Sequence, residues 1–112
     1  MILWNVAEIS RRRWRRGLKL NYIEATAIIC DELLERAREG NCTVADLMAV
    51  GSMILTEEDV MDGTPALMGA VQLEVGLPDG NKLVSVNDPI RLEKRSEAIP
   101  VGELRSMAYM GT

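Results

Sequence analysis

The chain has 112 residues, which is enough for one domain with a single modest core. Hydrophobic residues make up 47% of it, but there is no Phe and there are seven Met, so we expect a mainly aliphatic core. No stretch approaches the roughly 18 apolar residues of a membrane span, and the basic run follows the apolar N-terminal residues, the reverse of a secretory signal. These features exclude a membrane-spanning helix and favour a cytoplasmic protein.

The charge is unevenly distributed along the chain. The formal net charge is −4, but residues 1–20 carry +5 and the remainder carries −9. Such asymmetry is typical of a nucleic-acid-binding arm, or of a basic helix that docks on an acidic surface of its own assembly.

Residues 2–16 have the period of an amphipathic helix, which Gly17 ends. The predicted apolar stripe consists of Ile2, Val6 and Ile9, with Leu3, Ala7 and Trp14 beside it.

A second helix has clearer end signals. Asn21 can cap it, Glu24 can complete a capping box, and Gly40 can close the C-terminal end. Apolar residues recur between them at helical spacing: Ile23, Ala27, Cys30, Leu34 and Ala37.

Two shorter helices are predicted next. Thr43 caps a helix that runs to Ile54, within which Gly51 indicates close packing. Thr56 starts a fourth helix, which the sequence Gly-Thr-Pro at residues 63–65 ends.

From residue 71 the period changes to two. Residues 71–77 and 82–86 alternate as half-buried strands around a turn at residues 78–81, and Pro89 ends the second strand. The predicted fold class is therefore α+β, with about four N-terminal helices followed by a C-terminal β-hairpin. Because a lone hairpin is marginal, we expect it to pack on the helices or to extend a neighbour's sheet.

Residues 1–90 thus form the predicted domain. Residues 91–112 have no sustained period and are interpreted as a linker or a partner-dependent tail.

The sequence offers little catalytic chemistry, because it contains no histidine. Cys30 lies on the apolar face of the second helix and is interpreted as a buried structural thiol, and Cys42 as an incidental loop thiol. We expect both cysteines to be free.

An acidic cluster follows Thr56, formed by Glu57, Glu58, Asp59 and Asp62. Such oxygen ligands suit magnesium or calcium, but the spacing differs from that of an EF-hand loop. Carboxylates in a first helical turn also complement the helix dipole, and this is the preferred interpretation.

The arginine-rich segment 11–16 could bind phosphates, with Trp14 stacking on a base. On a helix, however, its five arginines spread around most of the circumference, which favours partner docking or solvent exposure.

The chain from Arg16 to Ile90 resembles the urease gamma subunit. The resemblance covers about two thirds of the chain, in the family's order and spacing, and rests on residues 16–22, 24–25, 60–65, 77–84 and 88–90.

This resemblance implies a structural subunit of an enzyme that hydrolyses urea to ammonia and carbamate. The nickel centre would belong to the partner alpha subunit, and alpha, beta and gamma chains would form a trimer of heterotrimers. No catalytic, cofactor-binding or metal-binding residue is expected on this chain.

Two features depart from the family. The N-terminal helix is shorter and richer in arginine, with Trp4 and Trp14 as unexpected residues. The chain also continues from Arg91 to Thr112, beyond the point at which a gamma subunit is nearly complete. Within this continuation, residues 99–104 faintly resemble the start of a urease beta subunit, as in a gamma-beta fusion. The alternatives are a nucleic-acid-binding protein and an orphan gamma-like protein that self-associates.

Overall fold

The computed structural model describes residues 2–105, with side chains described from residue 5 onward. Four α-helices precede one antiparallel β-hairpin. They are α1 (Ile2–Arg15), α2 (Tyr22–Glu39), α3 (Val44–Gly51) and α4 (Thr64–Met68), followed by β1 (Ala70–Leu77) and β2 (Gly80–Asn87). Single 3₁₀ turns lie at Glu57–Asp59, Arg95–Glu97 and Val101–Glu103. The predicted α+β class is confirmed, and within residues 2–105 no helix is long and apolar enough to cross a membrane.

Helix α2 is the centre of the domain, because α1, α3, α4 and β1 all pack against it. Its predicted caps are confirmed: the Asn21 side chain accepts from the Glu24 amide at 2.8 Å, and the Glu24 side chain accepts from the Asn21 amide at 3.0 Å. Gly40 ends the helix with a φ of 78°, a left-handed conformation that glycine adopts without a steric penalty.

Helix α1 packs on α2 through a face that differs from the predicted stripe. Ala7, Ser10 and Arg11 are buried and Trp14 is half-buried, at the i, i+3, i+4, i+7 spacing of one helix face. Ile9, predicted to lie on the apolar stripe, is exposed. The prediction of a purely apolar contact face was wrong because a buried ion pair takes part in the contact.

Helix α3 begins at the predicted cap, where the Thr43 hydroxyl accepts from the Asp46 amide at 3.1 Å. It ends at Gly51, so the prediction that it continues to Ile54 was wrong. The Met53 amide donates to the Val50 carbonyl in a tighter turn, after which Ile54 enters the core in irregular structure. Burial of the residues after Gly51 therefore reflects a change of chain direction and not a helical period.

The fourth helix lies later in the chain than predicted. Only the 3₁₀ turn Glu57–Asp59 forms after Thr56, and α4 begins at Thr64. Gly63 reverses the chain with a φ of 84°, and Pro65 lies in the first turn of α4, where its missing N–H costs no helical hydrogen bond. Proline therefore starts a helix here, in contrast to the prediction that it only ends one.

The hairpin forms at the predicted position, but its loop is only residues 78–79 and not the predicted 78–81, because Gly80 and Asn81 already belong to β2. Its buried face pairs Val71 with Val86, and the face is completed by Val75 and Val84. Strand β1 packs on α2 and β2 packs on α3, so the expected packing of the hairpin on the helices is confirmed.

The described part of the segment after Ile90 also packs against this domain. Leu92 forms a parallel bridge with Thr56, and Leu104 joins the hydrophobic core. Residues 106–112, which belong to the predicted tail, lie outside the described part of the chain.

Candidate functional site

The two cysteines have environments that disfavour the reactive thiolate. Both are free, Cys30 is buried in α2, and Cys42 is partly buried after it. Burial, with a smaller contribution from the neighbouring Asp31 carboxylate, raises the pKa of the Cys30 thiol to about 11. The pKa of Cys42 is also raised, first by burial and then by Asp46 and Glu39. Neither thiol has the lowered pKa of a catalytic nucleophile.

We expect the two thiols to react at different rates with iodoacetamide at pH 8. The Cys30 thiol stays protonated and buried at this pH, so only the partly exposed Cys42 should be alkylated while the protein is folded. Mass spectrometry of a time course measures this difference, with Cys42→Ser as the control that should remove the fast modification. Equal rates at both positions would contradict the described burial of Cys30.

The acidic cluster after Thr56 does not converge on a metal site. Among residues 2–105, no group of three or more His, Cys, Asp or Glu side chains is placed to hold a metal ion. Asp59 instead faces the interior, and the Glu58 carboxylate accepts from the backbone amide of Arg95 at 2.7 Å. These carboxylates therefore act within the fold, partly through contacts that the helix-dipole interpretation did not include.

Asp59 joins its own turn to two distant parts of the chain. One carboxylate oxygen accepts from the indole Nε1 of Trp14 at 2.9 Å. The other accepts from the amide and hydroxyl of Thr56, both at 2.8 Å, and from the guanidinium of Arg95 at 3.0 Å. We call these four residues the Asp59 hub. Each oxygen of the buried Asp59 carboxylate accepts from at least one donor. The hub therefore stabilises the fold, whereas a buried carboxylate without such donors would destabilise it.

The arginine-rich segment is largely engaged with carboxylates of the same chain. Arg11 is completely buried and donates to Asp31 at 2.6 Å, and it also pairs with Glu8 at 3.3 Å. Arg13 pairs with Glu24 on α2, and Arg12 pairs with Glu8 at 3.5 Å. This arrangement does not favour the nucleic-acid alternative, since the guanidinium groups of Arg11, Arg12 and Arg13 already have anionic partners.

Sequence reasoning missed the structural roles of Arg11 and Arg95. A usable signal for Arg11 was present in α2, where Glu24 and Asp31 are seven residues apart and therefore lie on one face. Two carboxylates on a face that also carries apolar residues require cationic partners, and α1 supplies them through Arg13 and Arg11. Arg95 had no such signal, because its partners Ile54 and Asp59 are 36 or more residues away.

Several exposed apolar side chains lie close in the chain to the bridge that joins two segments of the domain. Leu20 forms a parallel bridge with Val60, and the Met61 amide donates to the Leu20 carbonyl at 2.8 Å. Close to this bridge in the chain are four large apolar side chains, each between 46% and 56% exposed: Leu18, Tyr22, Ile23 and Met61. We call these four residues the apolar junction. A concentration of exposed apolar groups is typical of a surface that contacts another protein.

The surroundings of the apolar junction also suit protein contact. Met61 lines a surface depression of about 290 Å³, together with Pro65 and Ala66. Leu67 follows on α4 and is 70% exposed. Arg15, the last residue of α1, and Arg16, which follows it, precede the apolar junction in the chain.

Comparison with known families identifies a relationship over most of the chain. The family described as "Urease, gamma subunit" matches residues 1–90 of the 112 residues. The matched region contains all four α-helices and the hairpin.

Proposed function

The chain belongs to the urease gamma-subunit family, and we propose that it is a non-catalytic structural subunit that supports assembly of the urea-hydrolysing heteromer. The single observation that carries this proposal is the family match over residues 1–90. Family membership supports a role in a hydrolase complex with other urease subunits. The resemblance of residues 16–90 to gamma subunits supports alpha and beta chains as those partners, in a cytoplasmic trimer of heterotrimers.

The residues of this chain do not fit a nickel site. The sequence contains no histidine, and the described residues hold no cluster of metal-binding side chains. Both cysteine thiols have raised pKa values, which disfavours the thiolate form that binds metals. The proposal therefore places nickel and urea hydrolysis on the alpha subunit and derives no chemical step on this chain.

The apolar junction is the proposed contact surface for the alpha or beta chain. Leu18, Tyr22, Ile23 and Met61 supply apolar area that a partner would remove from water. The arginines at the end of α1 would attract acidic residues at the rim of the partner's contact surface. Such attraction raises the association rate and orients the partner more than it raises the affinity.

Co-expression with the alpha and beta chains of the same source tests this function. We expect the three chains to co-elute in one large complex that hydrolyses urea, and the purified gamma-type chain to bind no nickel. Size-exclusion chromatography with light scattering, metal analysis and an ammonia assay measure these results. One bound nickel per isolated chain would overturn the non-catalytic assignment. A homo-oligomer that does not bind the alpha and beta chains would favour the orphan alternative.

Substitution of Ile23 by Glu tests the proposed surface. Ile23 is 56% exposed in the first turn of α2, where a carboxylate complements the helix dipole, so the fold should be retained. We expect at least about tenfold weaker association with the partner chains, because a charge would be buried in an apolar contact. The matched control is Leu83→Glu on β2, where the original side chain is 63% exposed, and it should associate normally. Equal association of both variants would exclude Ile23 from the contact.

A further inference from the structure

Residues 91–105 follow a continuous path along the helical domain. The amides of Glu57 and Glu58 donate to the carbonyls of Leu92 and Glu93 at 2.9 and 3.2 Å. Further along, the Ile99 amide donates to the Met53 carbonyl at 2.9 Å. These backbone contacts hold residues 92–99 beside residues 53–58, with the 3₁₀ turn Arg95–Glu97 between the two sets of hydrogen bonds.

The C-terminal end of this segment is anchored on α2. The Arg105 amide donates to the carboxylate of Glu32 at 2.9 Å, and Glu32 itself is fully buried. One residue earlier, Leu104 is only 2% exposed and belongs to the same core as Leu33 and Leu47. Ala98 is the other buried apolar residue of the segment.

Arg95 is the main polar anchor between these two ends. Its guanidinium donates to the Asp59 carboxylate at 3.0 Å and to the carbonyls of Ile54 at 2.8 Å and Ile99 at 2.5 Å. It also lies over the ring of Trp14, with 5.3 Å between the guanidinium carbon and the ring centroid. A carboxylate, a carbonyl and an aromatic face are the groups that recognise a guanidinium, so the domain provides a guanidinium pocket.

We propose that residues 2–90 carry a groove that recognises a peptide segment, and that residues 91–105 of the same chain fill it as a latch. Recognition depends on an arginine in the guanidinium pocket and a leucine in the core, whereas the backbone contacts are independent of side-chain identity. The family match ends at residue 90, so the latch lies outside the region that the family describes. This inference is independent of the proposed function.

The latch also holds α1 in place. Trp14 belongs to α1, and it contacts both Asp59 and Arg95. Opening of the latch would therefore remove one side of the Trp14 environment and expose the core around Leu104. Residues 91–105 thus act as part of the folded unit and not as a flexible connection.

Amide hydrogen exchange on the full-length chain tests the latch. In the unmodified protein, the amides of Glu57 and Ile99 should be protected, because each donates across the groove. Arg95→Ala should raise their exchange rates at least about tenfold, the effect expected when a buried charge-assisted network is lost. The matched control is Lys94→Ala, which removes an exposed cation from the neighbouring position and should leave both rates unchanged.

If Arg95→Ala unfolds the whole chain, all of its amides exchange quickly and the latch must be tested with a milder substitution. Arg95→Lys retains a cation beside Asp59 but replaces the guanidinium fork, whose two terminal nitrogens reach Ile54 and Ile99 separately, with a single nitrogen, so Ile99 exchange should rise while α2 amides stay protected. Rapid exchange of Ile99 in the unmodified chain, or equal rates in the Arg95 and Lys94 variants, would overturn the proposal. Protection that increases with protein concentration would also overturn it, by placing the segment of a second copy in the groove.

Discussion

Replacement of Arg11 by Ala is expected to lower the free energy of unfolding by about 3–5 kcal/mol. The Arg11 side chain is fully buried between α1 and α2, and its guanidinium lies 2.6 Å from the Asp31 carboxylate. Removing it leaves Asp31, which is itself 6% exposed, as a buried charge without its arginine. Urea unfolding followed by far-UV circular dichroism measures the change.

Arg12→Ala is the matched control for this prediction. Arg12 belongs to the same helix and also pairs with Glu8, but its side chain is 70% exposed, so we expect a change below about 0.5 kcal/mol. The double variant Arg11→Met and Asp31→Leu removes both charges, and it should recover much of the lost stability. If Arg11→Ala unfolds at the same urea concentration as Arg12→Ala, the buried ion pair does not stabilise the α1–α2 contact.

Replacement of Gly51 by Ala is expected to lower the free energy of unfolding by about 1–3 kcal/mol. A Cβ at Gly51 would lie 2.6 Å from one γ carbon of Val86, 3.1 Å from the other and 3.3 Å from its Cβ. Rotation of the Val86 side chain cannot relieve all three contacts, so α3 must move away from β2. The gain in helix propensity, at most about 1 kcal/mol, does not offset this overpacking. Thermal and urea unfolding measure the net effect.

Gly102→Ala provides a control without a steric conflict, because no atom lies within 4 Å of a Cβ built there. We expect its stability to stay within about 0.5 kcal/mol of the original. Val86→Ala should lessen the effect of Gly51→Ala, so the double variant should be more stable than the sum of the two single changes predicts. Additive losses would show that Val86 does not cause the conflict.

Local signals explain which elements could be predicted from the sequence. The caps of α2, formed by Asn21, Glu24 and Gly40, depend on residues within one turn, and the hairpin turn depends on four consecutive residues. The change from a period of 3.6 to a period of 2 near residue 71 located the hairpin for the same reason.

Features that depend on distant partners could not be predicted in this way. Ile54 and Leu55 have apolar side chains that suit a helix, and only the packing of the core shows that the chain leaves α3 before them. The contact face of α1 was also misassigned, because the cost of burying Arg11 is offset by an acid on another helix.

Some properties of the candidate functional surface could be predicted from the sequence, and others could not. The absence of histidine and the separation of Cys30 from Cys42 are properties of the sequence that argue against catalysis on this chain, and the absence of a catalytic residue stays a prediction. The apolar junction could not be predicted from the sequence, because only the bridge between Leu20 and Val60 brings the segments that carry Leu18 and Met61 side by side.

The Asp59 hub also has a consequence for the order of folding. Asp59 is 45 residues from Trp14 and 36 residues from Arg95, so two long loops must close before all of its hydrogen bonds can form. The α2 caps and the hairpin turn close within four residues of sequence and carry almost no such entropic cost. We therefore expect α2 and the hairpin to be structured in the folding transition state and the hub to form after it. Contacts that form after the transition state slow unfolding without accelerating folding, so the hub would mainly extend the lifetime of the folded chain.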